Sequence, residues 1–133
     1  MREILFRGID EGTNEWVYGY YYEKPCEFCK EKGYYIFDDT TISRYNVIPE
    51  TIGQYTGLTD KNGKKIFEGD ICKIKGVPLV DEIPFVVEWN EDYSGWFWRD
   101  LEYYDTITPE IAKTAHIIGN IHDNPELLKG GAE

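Results

Sequence analysis

Two cysteines, Cys26 and Cys29, have the spacing of a metal or redox site. A Cys-x-x-Cys turn can place two thiolates on one zinc ion, and a structural zinc then needs two more ligands. Cys72, His116 and His122 are the only other cysteine or histidine residues. A redox pair normally caps a helix that follows a strand, and no such setting is predicted here. We therefore expect no bound cofactor, with zinc held by Cys26, Cys29 and Cys72 as the alternative.

A histidine beside a carboxylate, His122 followed by Asp123, is the other pattern that could support catalysis. Such a carboxylate can orient an imidazole that acts as a general base. Neither His116 nor His122 is accompanied by a nucleophile motif, a metal triad or a phosphate-binding loop in this sequence. We predict no catalytic residues and no enzymatic activity.

Aromatic residues form two clusters that could bind a partner. One lies within residues 89–98, and the other alternates along residues 18–22, where Tyr21 should point away from its neighbours. Tyr and Trp dominate the energetically important positions of protein interfaces, although the same rings can fill a core between sheets. The predicted partner-binding residues are Trp89, Tyr93, Trp96, Trp98, Tyr20 and Tyr22.

Acidic residues are interleaved with the aromatic cluster of residues 89–98. Together they could face a basic protein surface, or they could form a solvated rim without a partner. The acidic residues of this run are Glu88, Glu91, Asp92, Asp100, Glu102 and Asp105.

The composition is that of a small acidic domain. The chain has 133 residues, 41% of them hydrophobic, and a net charge of -11, which fits one globular domain. Nucleic acid is disfavoured as a partner, because phosphate recognition needs a basic face and the lysines of residues 61–75 are mixed with acids. No stretch is apolar enough for a membrane span or a signal peptide. Three cysteines fit a reducing compartment, so we expect a cytoplasmic protein.

Short strands separated by turn-forming residues run through the sequence. Segments 3–9 and 15–23 predict an opening β-hairpin, and Gly19 within the second strand indicates a bulge or a close backbone contact. The Asn62-Gly63 pair predicts a type I′ hairpin turn. Further strands are predicted at 34–39, 71–76, 85–90, 96–100 and 116–121, with short helical turns over 108–115 and from 124.

This pattern predicts a mainly β fold, either a small antiparallel barrel or a sandwich of short strands. We expect a single domain, with an N-terminal hairpin region at 1–46 and a barrel-like region at 47–133. Residues 68–98 are predicted to form a turn, a strand, a loop and an aromatic hairpin, in that order. This order is similar to the middle of an SH3-like barrel. That likeness places an SH3-like core in the C-terminal two-thirds and says nothing about activity.

Four segments resemble one known family over most of the chain. They are EILFRGID with EWVYGYYYE, VIPETIGQYTGLTDKNGKKIFEGDICKI, VVEWNEDYSGWFW and IIGNIHDNPELL. On these segments the sequence resembles the YopX family of phage and prophage proteins. The resemblance implies a β-rich protein made in a bacterial host cell. It supplies no catalytic motif, and Cys26 and Cys29 lie between the matching segments.

Three functional hypotheses follow. The first is a phage accessory protein that acts as a non-catalytic protein-interaction module and forms a homo-oligomer, with a host or phage protein as its partner. The second is an SH3-like barrel that binds nucleic acid through the lysine-rich hairpin and nearby rings. The third is an acidic protein that imitates the charge of DNA and inhibits a host enzyme.

Overall fold

The computed structural model of the chain describes residues 3–25, 31–74 and 83–128. The strands in these residues are β1 (Phe6–Ile9), β2 (Trp16–Pro25), β3 (Lys32–Asp38), β4 (Ser43–Asn46), β5 (Gly53–Thr59), β6 (Lys65–Phe67), β7 (Asp70–Ile74), β8 (Phe85–Asn90), β9 (Gly95–Arg99), β10 (Tyr104–Thr106) and β11 (Ala115–Asn120). Helix α1 is Pro109–Thr114, and 3₁₀ turns span Pro49–Thr51 and Pro125–Leu128. Within the described residues, no helix has the length and apolar character needed to cross a bilayer.

The strands belong to two compact units, unit 1 (Met1–Tyr55) and unit 2 (Thr56–Glu133). In unit 1 the hydrogen-bonded order is β4-β3-β2-β1-β5, and only the first residues of β5 belong to this unit. In unit 2 the remainder of β5 adjoins β6, and a five-stranded sheet has the order β10-β9-β8-β7-β11. The antiparallel strand pairs are β1–β2, β1–β5, β2–β3, β3–β4, β7–β8, β7–β11, β8–β9 and β9–β10.

The buried face of the unit 1 sheet carries Ile36 and Tyr21, which lie opposite each other in the β2–β3 register. Ile36 and Val47 are fully or almost fully buried. Gly19 lies on this same face, and a Cβ at Gly19 would stand 2.1 Å from the backbone oxygen of Phe37. The predicted close backbone contact at Gly19 is confirmed.

The core of unit 2 lies between the five-stranded sheet and the elements that cover one of its faces. Strand β6 contributes Ile66, and the segment of α1 contributes Ile107 and Ala112. Covering the sheet in this way buries apolar area that neither element could bury alone. The buried residues of this cluster are Ile66, Cys72, Ile74, Phe85, Val87, Ile107, Ala112 and Ala115.

The β5–β6 turn differs from the predicted type I′ turn. Gly63 has a φ of 80°, but Asn62 is not among the residues with positive φ, so that prediction is wrong. The Gly63 N–H donates to the Asp60 carbonyl at 3.0 Å, and the Asp60 N–H donates to the Lys64 carbonyl at 2.8 Å. This is a three-residue loop with a left-handed glycine. The Asp60 carboxylate favours it by accepting the N–H groups of Asn62 and Lys64, each at 2.9 Å.

Helix α1 forms where the sequence predicts it. The Thr108 side chain accepts a hydrogen bond from the Ile111 N–H at 3.2 Å, and Pro109 occupies the first helical position. This cap satisfies an N–H group that the first turn of a helix leaves without a partner. Strand β8 also has the predicted bounds.

The prediction of a mainly antiparallel β fold with short helical turns near the C-terminus is confirmed. Of the two architectures left open, the described residues of unit 2 have the sandwich-like one, because the five-stranded sheet is open and ends in β10 and β11. The likeness to an SH3 barrel stays a prediction.

Candidate interaction surfaces

Strand β7 places Cys72 in the core of unit 2, where its side chain is fully buried. Burial, with smaller contributions from the carboxylates of Asp70 and Asp60, raises the pKa of the Cys72 thiol. Cys72 lies opposite Ile117 in β11, whereas the adjacent His116 lies opposite Lys73, so Cys72 and His116 point to different faces of the sheet. The described residues hold no group of three His, Cys, Asp or Glu side chains that could bind a metal. Cys26 and Cys29 lie outside the described residues, and the cofactor expectation stays a prediction.

We expect Cys72 to resist alkylation in the native protein. A thiolate is the reactive form of cysteine, and this thiol is both buried and held neutral. Iodoacetamide treatment followed by site-resolved mass spectrometry should find Cys72 modified only after unfolding in urea, while an added unstructured cysteine peptide reacts throughout. Labelling of native Cys72 at the rate of that peptide would contradict its burial.

The turn after β11 holds His122 and Asp123 through a buried asparagine. The side-chain oxygen of Asn120 accepts the backbone N–H groups of His122 and Asp123, each at 2.9 Å. The Asn120 amide donates to the Asp123 carboxylate at 3.1 Å, and the Asn120 N–H donates to the Asn124 side chain at 3.3 Å. These bonds give Asp123 a structural role in shaping the turn. Asn120 was not among the residues predicted from the sequence.

The three tryptophans of the β8–β9 hairpin share one face of the five-stranded sheet. Trp89 lies opposite Trp96, and their rings make an edge contact with centroids 5.1 Å apart. Trp98 lies opposite Val87 and makes an edge contact with Phe85 at 5.7 Å. Trp96 and Trp98 pack against the core of unit 2, whereas Trp89 is 38% exposed at its rim. Two of the six predicted partner-binding residues, Trp96 and Trp98, are therefore partly buried by packing within unit 2.

A second aromatic row lies on the opposite face of this sheet, and we call Tyr93, Phe97 and Tyr104 the β9 stripe. Phe97 is buried beneath both tyrosines, with ring centroids 4.7 Å from Tyr104 and 5.7 Å from Tyr93. Tyr93 is 75% exposed and Tyr104 is 42% exposed.

Asn90 joins the two exposed tyrosines of the β9 stripe. Its side-chain oxygen accepts the Tyr93 N–H at 2.9 Å, and its amide donates to the Tyr104 hydroxyl at 2.7 Å. One amide thus bridges the β8–β9 turn and strand β10. The Tyr104 ring, held by this bond and by Phe97, loses little rotamer freedom when a partner covers it.

Carboxylates surround the two turns that end strand β9. Glu91 and Asp92 precede Tyr93 in one turn. In the other, Asp100 accepts the N–H groups of Glu102 and Tyr103 at 2.8 and 2.7 Å. Between the turns, the Arg99 guanidinium donates to the Glu88 carboxylate at 2.8 Å. This ion pair joins β9 to β8.

Unit 1 carries a separate aromatic surface, which we call the tyrosine face. Direct register partners share a face of a sheet, and the pairs Tyr20–Phe37 and Tyr22–Tyr35 place these rings together. Tyr22 and Tyr35 stack with centroids 5.2 Å apart, and Tyr20 is 52% exposed. The side chains that form the tyrosine face are Trp16, Tyr18, Tyr20, Tyr22, Tyr35, Phe37 and Arg44.

Tyr21 points to the other side of strand β2, as predicted. Its ring packs on Phe6 at 5.6 Å, and its hydroxyl donates to the Glu23 carboxylate at 2.6 Å. Burial and this hydrogen bond raise the pKa of Tyr21.

A family model described as YopX protein matches residues 5–129. The chain belongs to the YopX family. The matched range includes all eleven strands described above, so the resemblance found in four segments is confirmed across both units.

This YopX family protein is also similar to a protein of known structure, described as the crystal structure of protein EF1440 from Enterococcus faecalis. The two share 23% sequence identity over 96% of this chain and 99% of that chain, with a TM-score of 0.57. At this identity the likeness concerns the fold alone. No curated protein matches the sequence.

The YopX chain therefore distributes its predicted partner-binding residues over three places. Tyr20 and Tyr22 lie on the tyrosine face, Tyr93 lies on the β9 stripe, and the tryptophans lie on the core-facing side of the hairpin. Sequence reasoning missed Tyr104, which belongs to the β9 stripe, and Asn90, which joins Tyr104 to Tyr93. The only local signal for Asn90 is an amide at the end of an alternating strand.

Proposed function

We propose that this YopX family protein is a non-catalytic protein-interaction module, acting as a phage accessory protein, and that the β9 stripe binds a basic protein surface. The observation that carries the proposal is the exposed pair Tyr93 and Tyr104. Both rings pack on Phe97, and Asn90 bonds the Tyr93 backbone and the Tyr104 hydroxyl. Tyrosines in such a fixed, partly desolvated setting are typical of interface hot spots.

The charge around the β9 stripe supports a basic partner. Both turns that flank β9 carry exposed carboxylates. The positive charge of Arg99 is already paired with Glu88. The chain as a whole has a net charge of -11. Complementary charge speeds association and excludes acidic competitors. Arginines of a partner would find carboxylates to pair with and tyrosine rings to stack on.

Nucleic-acid-binding enzymes are one class of protein with such basic surfaces. An acidic module that covers a basic cleft of this kind would inhibit the enzyme. The DNA-mimic hypothesis is therefore a special case of the same proposed interface. The expected homo-oligomer also remains a proposal, and native mass spectrometry would give its subunit number.

A titration with defined peptides tests the β9 stripe. Fluorescence anisotropy would compare a labelled arginine–glycine repeat peptide with a glutamate–glycine peptide of equal length. We expect binding of the arginine peptide only, and at least about tenfold weaker binding by the Tyr93→Ser/Tyr104→Ser variant, because two hot-spot rings are lost without a change in charge.

The matched control is Tyr18→Ser/Tyr20→Ser, which removes two exposed tyrosines from unit 1 and should bind like the wild type. Thermal unfolding of both variants checks that the fold is retained. Equal binding by all three proteins would show that net charge alone attracts the peptide, and the β9 stripe would be rejected as the site.

A further inference from the structure

The tyrosine face has an unusual charge for this protein. Its strand positions, read from the register of β1 to β4, include no aspartate or glutamate, although the chain has 25 acidic residues. Lys24 and Arg44 lie at positions of this face, and the opposite face carries Glu23 and Asp38. A chain with a strong negative charge thus has one aromatic sheet face whose described strand positions carry no negative side chain.

The rings of this surface are arranged in a row. Tyr18, Tyr20 and Tyr22 occupy alternate positions of β2, so their attachment points are about 7 Å apart along the strand. Tyr18 is 44% exposed and Tyr20 is 52% exposed. Beside them, the Arg44 guanidinium lies over the Tyr35 ring at 5.4 Å. Tyr20 therefore presents an exposed ring on the same face as a cation that is held against Tyr35.

We propose that the tyrosine face binds single-stranded nucleic acid. Unpaired bases stack on aromatic side chains regardless of sequence, and phosphates need nearby cations without carboxylates between them. A duplex offers no free base faces to such a surface and should not bind. This function is separate from the interaction proposed for the β9 stripe.

Because the described strand positions of the face carry two exposed cations, Lys24 and Arg44, binding should depend on stacking more than on charge. Two phosphate contacts on a single strand give a slope of about -1.4 in log K against log salt. Affinity should then fall only about sevenfold between about 50 and 200 mM salt. An electrostatic track along many lysines would lose far more over that range.

The test is fluorescence anisotropy of the full chain with a labelled oligothymidine, an abasic oligonucleotide of equal length and a duplex. We expect the oligothymidine to bind at least about tenfold more tightly than either control, since base stacking is the main attraction. Tyr18→Ser/Tyr20→Ser should weaken binding at least about tenfold, and Arg44→Gln should reduce the salt slope by about 0.7. Tyr93→Ser/Tyr104→Ser should bind like the wild type.

Three results would overturn the proposal: equal binding of the thymidine and abasic strands, no binding at low salt, or loss of binding in the Tyr93→Ser/Tyr104→Ser variant alone. Light scattering adds a fourth. If the protein self-associates and Tyr18→Ser/Tyr20→Ser abolishes that association, the tyrosine face is an interface between copies. The abasic comparison uses unmodified protein and keeps the test decisive even if a variant unfolds.

Discussion

Gly19→Ala is expected to destabilise the protein by about 3 kcal/mol or more. A Cβ at this position would meet the Phe37 carbonyl oxygen at 2.1 Å, its carbon at 2.7 Å and the Asp38 Cα at 3.2 Å. These are backbone atoms, so no side chain can rotate away. Strands β2 and β3 would have to separate, and their pairing is what builds the tyrosine face. Urea unfolding followed by circular dichroism would measure the change.

Gly95→Ala is the matched control. Gly95 begins strand β9, and its nearest contact for an added Cβ is the Tyr93 oxygen at 3.7 Å, an ordinary van der Waals distance. We expect its free energy of unfolding to stay within about 0.5 kcal/mol of the wild type. Equal effects at Gly19 and Gly95 would mean that the substitutions act through the unfolded chain, not through the contact with Phe37.

The sequence predicts those parts of the fold that local patterns determine. The alternation of residues 85–90, a turn and a second aromatic strand is enough to place Trp89 beside Trp96, because a hairpin register follows from its turn. The Thr108-Pro109 pair likewise marks the start of α1 within a few residues. Both features need no information from elsewhere in the chain.

Strands β4 and β10 could not be predicted in the same way. Ser43–Asn46 and Tyr104–Thr106 are three or four mostly polar residues without alternation. They are strands because a neighbouring strand forms backbone hydrogen bonds with each of them. Arg44 lies opposite Phe37 of β3, and Tyr104 lies opposite Arg99 of β9. Pairing with the preceding strand therefore overrides a weak local preference for extended structure.

The candidate surfaces show the same division. Alternation correctly separates Phe97 from Trp96 and Trp98, but it gives no rule for Tyr93, which lies in a turn. The Asn90 hydrogen bonds and the Phe97 ring decide its side of the sheet. Sequence clustering therefore grouped Tyr93 with the tryptophans, whereas the structure places it with Tyr104.

Net charge also hides a local difference. A value of -11 argues against nucleic acid when it is spread over the whole chain, and it still fits the carboxylates near the β9 stripe. The register of β1 to β4 shows a face whose described strand positions hold no acid, and no count of residues reveals this. Because the two surfaces contain the same residue type, the tyrosine variants of each unit serve as controls for the other.

Asp60 is expected to be the most important side chain of the unit 2 hairpin. It is buried, and its two oxygens accept the N–H groups of Asn62 and Lys64 at 2.9 Å and of Ile117 at 3.1 Å. Asp60→Ala would leave three N–H donors without this partner. The two donors in the hairpin turn can form hydrogen bonds with water instead. We expect a loss of about 3 kcal/mol in the free energy of unfolding. Asp60→Asn keeps one acceptor oxygen and should lose about half as much.

The pH dependence separates this role from simple packing. Burial acts to raise the pKa of Asp60, but the N–H groups of Lys64, Ile117 and Asn62, with the charge of Lys64, hold it below its usual range. A depressed folded-state pKa stabilises the protein above the unfolded pKa of about 3.9, and that stabilisation is lost as pH falls through the folded pKa.

The difference in unfolding free energy between the wild type and Asp60→Asn should therefore be constant near neutral pH and shrink below about pH 4. Asp100→Asn is the control, since that carboxylate also accepts two backbone N–H groups, of Glu102 and Tyr103, but in an exposed turn. Its cost should be under about 1 kcal/mol, because water replaces the lost bonds. A pH-independent difference for Asp60→Asn would show that the carboxylate charge is not what joins the hairpin turn to β11.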